Sequence, residues 1–253
     1  MSGELEGRGF QDHFSGHAAE YARHRPVYPR ALFEVLAGLA PGRERAWDCA
    51  TGNGQAAVAL AEHFAEVVAT DASAEQLARA PEHPRVTYRH EPAEAVSLEP
   101  ASCDLVTVAQ ALHWLRWDAF YAEVRRTARP GAVLAAWMYP LMRVDDRVDE
   151  ILRAFHDDTV GEYWAPERVH IDAGYADVPF PFRELAPPAI EMRHDWTAEQ
   201  ALGYLDTWSA VRRFRKARGS DPLAAIASDL AVAWGAEPRL VRWPLVVRVG
   251  LVD

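Results

Sequence analysis

Two short segments constrain the fold of this chain more than any other feature. Ala46–Gln55 reads AWDCATGNGQ: an apolar lead-in, an acid at Asp48, then glycines at Gly52 and Gly54. A second apolar run, EVVATD, closes on Asp71. Two parallel strands would bring both acids to one sheet edge. There they flank the crevice outside the strands' carboxyl ends, where nucleoside cofactors bind. The glycines allow a tight turn and a close backbone approach to a ligand.

The surrounding pattern repeats strand and helix. His17–His24 reads as a helix that ends before Pro26. A second helix starts at Pro29 and stops at Pro41–Gly42. Strands are predicted at Ala46–Ala50, Glu66–Thr70, Val86–Arg89, Cys103–Ala109 and Ala132–Trp137. Helices are predicted at Gln55–Ala65, Ser73–Ala80 and Trp117–Thr127, with Ser73 as a cap. CDLVTVA is almost continuously apolar, as a central parallel strand covered on both faces must be. The alternation predicts an α/β fold with a Rossmann-like doubly wound sheet and helices on both faces.

The character changes at Pro140. An acidic helical stretch, DRVDEILRAFHDDTV, precedes a segment rich in proline and aromatic residues. This reads as a lid inserted over the sheet edge. Ile190–Trp196 alternates like a strand, and Thr197 with Gln200 has capping-box spacing for a helix running toward Phe214. Pro222–Trp234 reads as a helix. Trp243–Val249 reads as a final strand, with Pro244 favouring an edge or strand start. The expected organisation is a single domain over 1–253. It comprises a cap segment 1–30, a cofactor-binding core 31–139, a lid 140–188, and strands and helices in 189–253 that complete the sheet.

Composition narrows the partners. The 253 residues carry 27 Lys and Arg against 37 Asp and Glu, a net charge of −10. Nucleic-acid partners need a basic footprint, and the one short basic run, Arg212–Arg218, reads as a solvated helix face. The expected partner is a small-molecule substrate, with no nucleic acid and no membrane, for a monomer or homodimer. Cys49 and Cys103 lie in or beside apolar runs and imply no disulfide framework. The first residues show no secretory signal pattern, and no apolar run approaches 18 residues. A cytoplasmic location is the expectation. No metal-ligand spacing is legible.

The glycine turn by itself leaves two cofactors open. A dinucleotide fingerprint tolerates alanine at its third glycine, as at Ala57, and Asp71 loosely meets the expected ribose acid. Asp48 faces a phosphate crevice unfavourably and suits a cofactor carrying an ammonium group, S-adenosylmethionine. Six motifs in order then settle the comparison: YARHRPVYP at Tyr21–Pro29, DCATGNGQ at Asp48–Gln55, DASAEQLARA at Asp71–Ala80, DLVTVAQALHW at Asp104–Trp114, YLDTWS at Tyr204–Ser209 and WPLVVRVG at Trp243–Gly250. Together they resemble the class I S-adenosylmethionine-dependent methyltransferases with a methyltransferase type 11 domain, in particular the trans-aconitate methyltransferase-like group. Two positions depart from that pattern. Ala50 stands where the family has its first glycine, and Pro92 stands where many relatives have an acid beside the adenine.

The resemblance implies a seven-stranded, mostly parallel sheet and S-adenosyl-L-methionine as cofactor. It implies methyl transfer to a small molecule, a carboxylic acid being the acceptor it suggests. Alternatives are a natural-product O-, N- or C-methyltransferase, or a non-catalytic cofactor-binding relative, for which Ala50 is the one local hint. Cofactor contacts are expected at Tyr21, Arg25, Asp48, Ala50, Gly52, Gly54, Gln55, Asp71, Ala72, Ala93, Glu94 and Gln110. Asp48 would meet the methionine ammonium or, instead, cap the turn. Asp71 would accept the ribose hydroxyls, and Glu94 or the Ala93 backbone would replace the missing acid. Acceptor contacts are expected at Tyr28, His113, Trp114, Tyr139, Trp164 and Trp208. His113 is the candidate general base, because an ordinary histidine pKa lies near operating pH.

Overall fold

The structure is a computed structural model and describes residues 25–253. Tyr21 and the expected helix at His17–His24 lie outside those residues. The first strand, β1 (Arg45–Cys49), is parallel to β2 (Glu66–Asp71) on one side and to β4 (Cys103–Ala109) on the other. β3 (Val86–His90) extends the sheet beyond β2, and β5 (Ala128–Met138) extends it beyond β4, again in parallel. β9 (Val246–Leu251) then pairs antiparallel with β5 and with β6 (Arg183–Leu185). The seven-stranded order is β3-β2-β1-β4-β5-β9-β6. Strand order reverses between β1 and β4, and that reversal opens the crevice at their carboxyl ends.

Side-chain alternation divides the core between the two faces of the sheet. Along β5, Val133, Ala135 and Trp137 join one apolar cluster while Leu134, Ala136 and Met138 join the other. α1 (Arg30–Leu39) covers the first face with Leu32, Phe33 and Leu36, together with α2 (Gln55–Leu60). α4 (Trp117–Thr127) covers the second with Phe120, Tyr121 and Val124. The short α3 (Ala74–Leu77) follows β2 and is capped by the Ser73 hydroxyl, which accepts from the Gln76 amide at 3.3 Å.

After β5 the chain runs through α5 (Asp146–Ala154), which ends in a π-turn at Phe155–Thr159, and then α6 (Arg168–Asp172). Here the strand assignments differ from the sequence pattern. β7 (Glu191–Trp196) does not enter the main sheet; it forms a separate antiparallel ribbon with β8 (Arg239–Pro244). Its alternation explains this: Met192 and Trp196 are buried while Arg193 and Asp195 are exposed, so only one face can be covered. The outer sheet strand is instead the three-residue β6, from the segment read as lid. The expected final strand is two strands that part at Leu245, directly after Pro244. The expected helix to Phe214 is likewise two, α7 (Ala198–Asp206) and α8 (Ser209–Arg218). They part at Thr207, whose hydroxyl donates back to the Tyr204 carbonyl at 2.6 Å. The Thr197–Gln200 capping box forms as expected. The last helix is α9 (Ala227–Trp234), after a 3₁₀ turn at Pro222–Ala225. Among the described residues, no helix is long and apolar enough to cross a membrane.

Candidate active site

The strand ends converge on a cavity of about 880 Å³. Its floor is the turn after β1. Ala50, Gly52 and Gly54 all take positive φ, at 53°, 58° and 82°. Among the described residues, a side chain added at Gly52 would meet nothing within 4 Å. Gly54 has a different reason. A side chain there would collide with the Tyr88 ring, so this glycine makes room for a neighbouring tyrosine. Gly54 does not line the cavity, whereas Ala50, Gly52 and Gln55 do. The Gln55 amide donates to the Pro26 carbonyl at 3.1 Å and ties the first described residues to the turn.

The two acids of the strand ends do different work. Asp71 lines the cavity; its carboxylate oxygens accept from the Gly52 and Ser73 amides, each at 2.8 Å. It therefore fixes the turn after β1 relative to the turn after β2. Asp48, expected at the cofactor, is wholly buried and does not line the cavity. Thr51 and Thr107 hydroxyls donate to it at 2.5 and 2.7 Å. Burial pushes its pKa up to about 6 against the lowering effect of those hydrogen bonds. Here Asp48 takes the alternative role expected for it: it caps the turn and ties it to β4.

The opposite wall follows β4 and β5. Gln110 lies at a positive φ of 57°, with its amide donating to the Trp137 carbonyl at 2.8 Å. Its side-chain Nε2 is buried at the cavity wall with no hydrogen-bond partner among the described residues. Ala72, Ala93, Glu94 and Trp114 also line the cavity. Glu94 accepts from the Arg116 amide at 3.1 Å, and the Arg116 guanidinium lies beside it. Arg25 donates to the Tyr139 hydroxyl at 3.0 Å and stacks over Tyr204 at 5.4 Å; Tyr28 packs between Tyr139 and Trp137. Arg25, Tyr28 and Tyr139 all reach the cavity.

His113 also lines the cavity, in the 3₁₀ turn after β4. Its Nδ1 lies 2.9 Å from the Tyr175 hydroxyl. Burial, reinforced by the positive charges of Arg168 and His170, lowers its pKa to about 3. The ordinary histidine pKa assumed from sequence does not apply here. A ring that holds a proton so weakly gives little driving force to general-base catalysis near neutral pH.

Trp164 and Trp208 do not line the cavity. Their rings lie 5.3 Å apart and pack with His156 and Phe155 beneath the wall. Sequence placed them in the pocket because aromatic residues in the lid serve both cores and ligands. Sequence also missed Arg213. It stands within the run read as a solvated helix face, yet it lines the cavity and donates to the Tyr163 carbonyl at 3.2 Å. Elsewhere in that run, Arg215 pairs with Asp206 and Asp221, and Arg218 with Glu162. Tyr175 had no sequence signal beyond the glycine before it. Among the described residues, no group of three or more His, Cys, Asp or Glu side chains could hold a metal ion.

A family model described as a methyltransferase domain matches residues 47–136. Over 229 residues the chain is 34% identical to a Dictyostelium discoideum protein provisionally named a methyltransferase, spanning 89% of this chain and 87% of that protein. It is 28% identical over 131 residues to a Saccharomyces cerevisiae protein provisionally named an S-adenosylmethionine-dependent methyltransferase, spanning 48% of this chain and 45% of that one. Among solved structures it is similar to a provisionally named type II methyltransferase from Anaeromyxobacter dehalogenans. That pair is 49% identical with a TM-score of 0.85, over 90% of this chain and 98% of the other.

Proposed function

Because the chain belongs to the S-adenosylmethionine-dependent methyltransferases, we propose that its cavity presents this cofactor to a small acceptor that bears a carboxylate. The cofactor side of the cavity fits. Among the described residues, Gly52 leaves open space, Asp71 supplies acceptor oxygens suited to ribose hydroxyls, and the buried Gln110 Nε2 lacks a partner. Arg25 would hold the cofactor's carboxylate, and Ala72, Ala93 and Glu94 would frame its base. When bound, the cofactor supplies an activated sulfonium methyl group. The chain's own task is then to orient the acceptor and exclude water.

One observation carries the acceptor class: Arg213 stands at the wall of a cavity in a chain of net charge −10. A guanidinium matches a carboxylate with two parallel donors. The resemblance to trans-aconitate methyltransferases supports the same class. Residues 165–167 and His170 also border the cavity and would serve as a lid. The hint of a non-catalytic relative weakens, because Ala50 adopts the positive φ that the family's glycine would take. Calorimetry with S-adenosylhomocysteine and with NAD tests the cofactor. Transfer of labelled methyl to a panel of small acids, phenols and amines tests the acceptor. Arg213→Gln should raise KM for an acid by about 10-fold or more, as expected for a lost charged hydrogen bond. NAD binding alone, or turnover of amines only, contradicts the reading.

A further inference from the structure

The pairing of His113 with Tyr175 lies outside every role assigned above. Both residues are buried, at 6% and 0% exposure, and the hydroxyl stands 2.9 Å from Nδ1. The chain goes to some length to place this tyrosine. Gly174 and Tyr175 both take positive φ, at 63° and 58°, a conformation that disfavours a residue with a ring. Several bonds hold it there. The Tyr175 amide donates to the His170 carbonyl at 2.8 Å, and Arg248 donates to the Tyr175 and Val178 carbonyls at 2.9 and 2.7 Å. A strained residue kept by that many contacts, one step from a cavity residue, invites a functional explanation.

Proton positions follow from counting donors. Burial pushes the Tyr175 phenol pKa up, so the hydroxyl keeps its proton. The buried hydroxyl needs an acceptor for its one proton, and Nδ1 at 2.9 Å is the acceptor within reach among the described residues. A neutral imidazole that accepts at Nδ1 carries its hydrogen on Nε2. The reverse arrangement, with Nδ1–H donating, would leave the tyrosine proton buried without a partner. The charged groups near the ring, Arg168 and His170, further favour the neutral form.

We propose that Tyr175 is a positioning residue that fixes His113 as the Nε2–H tautomer, so that His113 donates a hydrogen bond to the methyl acceptor and does not act as its base. The acceptor class is then one that enters already ionised, as a carboxylate is near neutral pH. A carboxylate oxygen forms its bond to the methyl carbon as the carbon–sulfur bond breaks. The electron pair leaves on sulfur, the products are a methyl ester and a neutral thioether, and no proton changes hands. The Nε2–H group orients the carboxylate. This catalytic consequence rests on the function proposed above, whereas the tautomer itself does not.

Histidine-selective ¹⁵N labelling of the whole chain reads the tautomer directly, without cofactor or acceptor. His113→Gln identifies the resonances. At pH 7 the wild type should show His113 neutral, with Nε2 protonated and Nδ1 bare. Tyr175→Phe should shift Nδ1 toward the average of mixed tautomers. Nδ1–H or a charged ring in the wild type overturns the proposal, whether or not Tyr175→Phe folds. With an acid acceptor in hand, His113→Leu should lower kcat/KM by about 10- to 150-fold. His113→Gln, which carries an amide donor near the Nε2 position, should recover most of that loss. Equal losses in both variants would also overturn it. Failure of the methyltransferase reading would appear separately, as a lack of S-adenosylhomocysteine binding with the tautomer intact.

Discussion

The two halves of the cavity are built in different ways. The cofactor half is local. At the glycine turn, Asp71 reaches Gly52 and Ser73, and Asp48 accepts from Thr51 and, from the adjacent strand, Thr107. The acceptor half is assembled from distant parts of the chain. His113 meets Tyr175 and Arg213 meets Tyr163. A site of this kind can keep one cofactor while its acceptor wall changes, because few contacts of the first half depend on the second.

The largest expected effect separates scaffold from pocket within the acceptor half. Trp208 is 4% exposed and packs on Trp164, Phe155 and Tyr204 without reaching the cavity. Trp208→Ala should cost about 3–5 kcal/mol of stability, as buried tryptophans do. Trp208→Phe should leave KM for the acceptor unmoved. Denaturant unfolding and steady-state kinetics read the two quantities. A raised KM in the phenylalanine variant, with little loss of stability, would return Trp208 to the pocket.

Asp48 offers the next test, in the cofactor half. Its folded pKa of about 6 lies above the ordinary value of 3.8. Between those values the native state binds more protons than the unfolded chain, so this group's contribution to stability falls as pH rises from about 4 to 6. The shift corresponds to about 3 kcal/mol, present in full above both values. Asp48→Asn removes the charge and with it this slope. Urea unfolding from pH 4 to 7 should show the variant gaining on the wild type across that window. A difference independent of pH would mean that Asp48 is ionised at no cost.

The same contrast explains what sequence could and could not convey. β1, β2 and β4, the caps at Ser73 and Thr197, and the turn bearing Gly52 are encoded by neighbouring residues, so they are legible. β6 has three residues and no pattern of its own; it exists because β9 offers it an edge. β7 was legible as a strand, but its partner was not, since pairing with β8 depends on what covers Trp196 and Trp243. Asp48 was left between two roles because an acid at a strand end looks the same whether it faces a ligand or two threonines. Tyr175 and Arg213 enter the site only through tertiary contacts.

Asp71→Ala probes the cofactor half alone. It removes an acceptor from the cavity and also releases the Gly52 and Ser73 amides. Charged hydrogen bonds contribute roughly 1.5–3 kcal/mol, so S-adenosylhomocysteine affinity should fall by about 10- to 150-fold. Asp71→Asn keeps one acceptor oxygen and should lose less. Titration calorimetry measures both. If the cavity halves are as separate as their bonding suggests, the Nε2–H state of His113 should not change in either variant. A coupled change in that resonance would break the comparison.

The smallest effect concerns the single alanine in the turn. Ala50 holds φ at 53°, where a side chain costs roughly 1–2 kcal/mol. Glycine removes that cost but adds about 0.5–1 kcal/mol of backbone entropy to the unfolded chain. Ala50→Gly should therefore stabilise the fold by about 0.5–1 kcal/mol, or a few degrees in Tm for a chain of this size. Cofactor affinity should hold or rise slightly, since the change removes only a methyl group from the cavity wall. The neighbouring glycines calibrate the argument. Gly52→Ala meets open space and carries only the conformational cost, whereas Gly54→Ala also drives a methyl group into the Tyr88 ring. The stability order should be Ala50→Gly above wild type, then Gly52→Ala, then Gly54→Ala. A destabilised Ala50→Gly would show that the alanine methyl makes a packing contact stronger than its backbone strain, and that the turn has been rebuilt around it.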